Sequence, residues 1–189
     1  MRRLIIAMFL TLSPMCAAWL NEAHATTIMA LSDEELIDKA EVIVHGTIVR
    51  VESFQYDTHT ILTKVTLRVE EFFKTPDGIS EGTEFDFYTR GGTLGDMVQT
   101  VSGEFRAVEG AEVIVFLEKI RKYNGLWMVL GLKTGAYWIE NSNDSAPEKM
   151  TRERFSLACG KVKPESVPLK SIRERIIRRV SEHHRVEAE

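Results

Sequence analysis

Between residues 41 and 139, apolar and polar side chains alternate in short runs broken by glycine, proline and asparagine. This is the period-two signature of β-strands. The first run, 41–51, sets Val42, Val44, Gly46 and Ile48 on one side and Ile43, His45, Thr47, Val49 and Val51 on the other. Both sides carry apolar residues, so the strand is expected to be central or curved, and Gly46 marks a bend or bulge. After a polar link at 53–59, the run 60–73 alternates Val65, Leu67 and Val69 with Lys64, Thr66, Arg68 and Glu70, as a half-buried strand does. Thr75-Pro76-Asp77-Gly78 is a turn, because proline presets one backbone angle and glycine accepts a positive one. Further strands are expected at 83–89, weakly at 97–101, at 112–118, at 126–130 after the Asn124-Gly125 turn, and at 136–139.

Helical signals lie on either side of this region. Ser32 followed by Glu35 is a capping box, Asp33 and Glu34 suit a helix N-terminus, and the period changes after Lys39 or Ala40. Beyond Pro168, Leu169, Ile172, Ile176, Ile177 and Val180 recur at helical spacing and predict an amphipathic helix over about 169–181, with 183–189 frayed. Residues 141–149 are polar and turn-rich, as in a linker, and 150–162 show no decisive period. Five or six strands, two of them long, point to a mainly β domain over 26–140. The expected form is a small antiparallel OB-like barrel with a short N-terminal helix, followed by a basic segment at 150–189 that carries the second helix.

The first 25 residues have a different character. Arg2 and Arg3 precede an apolar run at 4–12, and Ala23-His24-Ala25 offers small residues for cleavage after Ala25. This predicts a secretory signal peptide and a periplasmic or secreted product. The run is shorter than the roughly 20 residues a membrane span needs. Cleavage removes Cys16 and leaves Cys159 without an internal disulfide partner; it reads as a small, partly buried apolar residue. Charge is uneven: 26–147 hold 11 Lys and Arg against 20 Asp and Glu, net −9, whereas 148–189 hold 11 against 7, net +4. The basic tail is expected to lie across the acidic body.

Three segments, AEVIVHGTIVRV at 40–51, TKVTLRVEEFFK at 63–74 and VSGEFRAVEGAEVIVFL at 101–117, resemble a group of uncharacterised secreted bacterial proteins. More remotely they are similar to netrin-like OB barrels, which include the tissue inhibitors of metalloproteinases. The resemblance covers roughly residues 36–139 and consists of strand patterns, so it implies a fold. Those inhibitors chelate a catalytic zinc through an N-terminal cysteine, whereas the expected terminus here is Thr26-Thr27-Ile28.

No catalytic or metal motif stands out. His45, His59, His183 and His184 have no i,i+2 or i,i+4 histidine or cysteine partner, so neither a metal site nor a cofactor is expected. Glu70 and Glu71 should point to opposite strand faces, and Glu34 and Glu35 suit a helix first turn. There is no Gly-x-Ser-x-Gly elbow, and the run 91–95 lacks the Gly-Lys-Ser/Thr ending of a phosphate loop. The acidic body argues against nucleic acid as partner. Tyr88, Trp127, Tyr137 and Trp138 are assigned to the core or a barrel mouth. The most unusual loop, Arg90, Gly91, Gly92, Thr93, Leu94, Gly95 and Asp96, continuing to Glu104, is the expected partner contact. The expected function is therefore a non-enzymatic exported binding protein that recognises another exported protein or envelope component. Two alternatives are an inhibitor of an extracellular metalloprotease acting through Thr26 and Thr27, and a hydrolase in which His45 and His59 converge with carboxylates.

Overall fold

Two long strands organise the chain: β1 (Val42–Asp57) and β2 (Thr60–Lys74) form an antiparallel ribbon joined by a two-residue turn. The computed structural model describes residues 31–75, 83–140, 149–155 and 162–187. The signal-like segment, Thr26, Thr27, residues 141–148 and Cys159 lie outside them. Among the described residues the protein is mainly β, with ten strands and two α-helices. After the ribbon come β3 (Glu84–Arg90), the short pair β4 (Gly92–Leu94) and β5 (Met97–Gln99), then β6 (Glu112–Ile120), β7 (Leu126–Val129) and β8 (Ala136–Glu140). β9 (Lys149–Phe155) and β10 (Val162–Pro168) follow. Helix α1 (Asp33–Lys39) precedes β1, and α2 (Leu169–Glu187) ends the described chain.

Eight strands form one sheet in the order β1-β2-β3-β7-β6-β8-β9-β10, and β1 pairs with β6 as well. The pairings β1-β2-β3-β7-β6 therefore return to β1. All are antiparallel except β3–β7, which is parallel and rests on Tyr88 opposite Met128. β1 reaches both neighbours because it is long and bent. Gly46 lies so close to β2 that a Cβ there would collide with the Arg68 carbonyl, and the β1–β2 register shifts at that point. Extra residues in a paired strand coil it and sharpen its twist.

The strand faces explain the two main cores. One side of the alternation, Val42, Val44 and Ile48 with Val65, Leu67, Phe85, Phe87, Val113, Val115 and Leu117, is buried in a wholly apolar cluster. Each such side chain contributes roughly 1.5–3 kcal/mol by leaving water. The other side, Ile43, Ile114, Phe116 and Tyr137, packs beneath Leu36 and Ile37 of α1 and Ile172 and Ile176 of α2. Ser32 caps α1 by accepting from the Glu35 amide at 3.2 Å, while Glu35 accepts from the Ser32 amide at 2.8 Å.

Several expectations need adjustment. The link at 53–59 is mostly strand, because Phe54 and Tyr56 pack with Leu62, Tyr88 and Tyr123 in a third cluster. The glycine-rich stretch contains β4. Part of 150–162 forms a hairpin, in which β9 pairs with both β8 and β10. α2 continues through His183 to Glu187, further than its apolar spacing indicated. Its guanidinium groups hold it to the acidic body: Arg173 donates to Glu71 at 2.9 Å, Arg179 reaches Asp38 twice at 2.9 Å, and Arg175 meets Asp33. Asp33 is buried and also accepts from the Tyr137 hydroxyl at 2.7 Å.

Candidate functional site

Within the segment 90–106, the β4–β5 hairpin is laid against the far part of the β1–β2 ribbon. Gly91 and Gly92 have positive φ of 83° and 143°, and side chains there would strike the Gln99 carbonyl, Ser53 and Thr63. Only glycine allows the chain to turn this close to its neighbours. A row of polar bonds then fixes it. Thr63 Oγ1 donates to the Gly91 carbonyl at 2.7 Å and lies 2.9 Å from Ser53 Oγ, which accepts from the Thr93 amide at 3.3 Å. The Gln99 side chain accepts from the Ile61 amide and donates to the His59 carbonyl at 3.0 Å.

Beneath the hairpin lies a cleft of about 390 Å³, lined among others by Arg90, Val98, Thr100, Phe105, Arg106 and Ala107. On the other side of 100–106 a second cleft, of about 540 Å³, reaches Lys133 and Trp138. Phe105 anchors the wall between them. It enters the apolar core, with its ring stacked on Trp138 at 5.0 Å between centroids and tilted against Phe87 at 6.0 Å. Anchoring Phe105 also pulls Glu104 inward, where its side chain is 5% exposed and accepts from Arg90 Nε at 2.7 Å. Burial pushes the Glu104 carboxyl above the usual range, and the Arg90 charge and hydrogen bond only partly oppose that shift.

Of the residues expected to make contact, Thr93, Gly95 and Asp96 are exposed, Leu94 is half-buried, and Arg90 is committed to Glu104. Gly91 is buried. The hairpin tip also carries Met97 and Val98, 50% and 70% exposed. Ser53 and Thr63, which position the loop, were not singled out in the sequence, and Gln99 and Glu104 fell within the expected contact stretch without a role of their own; polar residues that meet across strands give no linear pattern. The expected inhibitory residues Thr26 and Thr27 and the expected cleavage residue Ala25 fall outside the described residues.

His45 and His59 do not converge. His59 sits in the β1–β2 turn, where its amide donates to Asp57 Oδ1 at 2.8 Å. His45 lies near the opposite end of the ribbon, with Nε2 at 2.7 Å from Glu112 Oε1 and 3.5 Å from Glu70 Oε2. Glu70 is there because β2 bulges: His45 faces Glu71 and Gly46 faces Val69, so Glu70 is the extra residue. The alternation that should separate Glu70 from Glu71 is broken, and both line one cleft of about 330 Å³ together with His45, Phe73, Leu169 and Arg173. His45, Glu70 and Glu112 are the cluster among the described residues whose ligand atoms converge as a metal ion requires, all lying within 4.8 Å of one another.

No protein-family model and no curated protein matches the chain. Among the described residues no helix is long and apolar enough to cross a membrane.

Proposed function

We propose that the returning set of strands is a small OB-like barrel and that the chain is an exported, non-enzymatic binding protein. Its contact is the β4–β5 hairpin, and its partner is another exported or envelope protein. The strand order supports the barrel, since β1 with two antiparallel neighbours and a parallel β3–β7 contact is what closing an OB-like sheet requires. The binding role is carried by one observation. Among the described residues, three of the four exposed large hydrophobics are Met97, Val98 and Val108, and of these Val98 lines the cleft beneath the hairpin, with Met97 beside it on β5. Val108 follows Ala107, which lines the same cleft as Val98. Exposed apolar groups side by side mark a contact surface more often than the same groups scattered singly.

The form of the surface narrows the kind of partner. β5 pairs with β4 on one edge and has no second strand among the described residues. An extended partner segment laid along that edge would gain backbone hydrogen bonds, and its alternate apolar side chains would meet Val98 and the cleft. Polar groups in the cleft are largely satisfied by one another, as Arg90–Glu104 and the Ser53–Thr63–Gly91 row illustrate. This favours holding a partner over chemistry on a substrate.

A photo-crosslinking residue placed at Val98 in cells that produce the protein should give a discrete protein adduct. The same probe at exposed Arg178 on α2 should give none, and the adduct should disappear when Met97→Ser is added. Equal labelling from both positions, or none from Val98, would overturn the proposed contact.

A further inference from the structure

We propose that His45, Glu70 and Glu112 form a three-ligand site for a divalent transition-metal ion of the zinc class. The site is distinct from the hairpin contact and does not depend on it. The three side chains come from adjacent strands β1, β2 and β6, so the sheet itself sets their spacing. Zinc binds imidazole nitrogen and carboxylate oxygen at about 2.0–2.2 Å, which places two ligand atoms on one ion about 3–3.5 Å apart. The Nε2–oxygen separations of 2.7 and 3.5 Å bracket that spacing, so small side-chain rotations suffice to admit an ion.

Two further features favour a cation here over a plain surface cluster. Among the described residues the ion-pair partner of both Glu70 and Glu112 is the His45 ring; the nearby arginine, Arg173, is engaged by Glu71. The bulge also turns Glu70 to the histidine side, where Thr47 Oγ1 donates to its Oε1 at 2.8 Å and Oε2 is left facing His45. A hydrogen-bonded carboxylate with one free oxygen is the arrangement that orients a metal ligand. One nitrogen and two carboxylates are too few oxygens for calcium and suit zinc or cobalt, with a fourth position open toward the neighbouring cleft.

Equilibrium dialysis of the purified full chain against zinc chloride should find one ion per chain, and Co²⁺ should bind with the visible absorption of imidazole coordination. His45→Ala and Glu70→Gln should each remove that ion. Glu70 is 42% exposed, so its replacement leaves the fold intact by circular dichroism. Thr47→Val should weaken binding by about 10-fold or more, as loss of a ligand's supporting hydrogen bond does. His183 lies 3.9 Å from Asp38 and provides a rival location, so a His183→Ala/His184→Ala chain should still bind one ion. Absence of saturable zinc binding, undiminished binding by Glu70→Gln, or loss of binding on removing His183 and His184 would each overturn the proposal.

Discussion

Two arginine–carboxylate pairs, one in each half of the molecule, have nearly the same chemistry and opposite titration. Arg90 donates to Glu104 at 2.7 Å beneath the hairpin, and Arg179 donates to Asp38 at 2.9 Å where α2 meets α1. Hydrogen bonding from Arg179 holds the Asp38 carboxyl below the usual carboxylate range, whereas burial drives Glu104 above it despite Arg90. Exposure decides the sign: the Asp38 side chain is 31% exposed and that of Glu104 5%. An ion pair at the surface adds a modest attraction to groups that stay hydrated. The same pair carried inward must first offset the water its carboxylate gives up.

This contrast predicts unequal mutational costs. Arg90→Ala leaves a buried carboxylate without its cation and should destabilise the protein by about 3 kcal/mol at pH 8. Arg179→Ala removes a solvent-screened surface pair and should cost far less. Urea unfolding of both variants measures the difference; equal costs would mean that burial does not separate the pairs.

A smaller effect follows with pH. Asp38 has a folded-state pKa below its unfolded value, so its contribution is present above the unfolded value and is lost as pH falls through the folded one. Glu104 has a raised folded-state pKa, so its contribution is full below the unfolded value and is lost as pH rises through the folded one. Relative to wild type, Asp38→Asn should therefore lose its stability deficit on acidification from neutral pH toward and below the ordinary carboxylate range. Glu104→Gln should change in the opposite sense over the interval above that range. Denaturation midpoints across pH show whether the two differences slope in opposite directions.

The two regions also differ in how much of them could be read from sequence. α1 was legible because Ser32 and Glu35 act within one helical turn, and α2 because Ile172 and Ile176 repeat on one face. Strand faces followed from alternation wherever it was unbroken, as with Val65 and Leu67. Nothing in the sequence around Glu104, the end of the expected contact loop, marks it as buried; its burial follows from Phe105 entering a core built by distant strands. The His45 cluster was hidden for a related reason. Positions 45, 70 and 112 meet only through strand pairing, and Glu70 turns toward His45 only because β2 carries an extra residue. Alternation read along one strand cannot reveal a bulge that exists only relative to its neighbour.

The parallel seam at Tyr88 and Met128 bears on how the chain assembles. The β1–β2 ribbon closes over two residues, whereas the seam joins positions about 40 residues apart through a single backbone pairing. Loop entropy disfavours the longer closure by about 2–3 kcal/mol on a logarithmic estimate, and few local hydrogen bonds offset it. Chain entropy thus sets an order in which the ribbon forms early and the seam late. Folding kinetics should register this, with truncations such as Val65→Ala slowing folding and Met128→Ala mainly speeding unfolding.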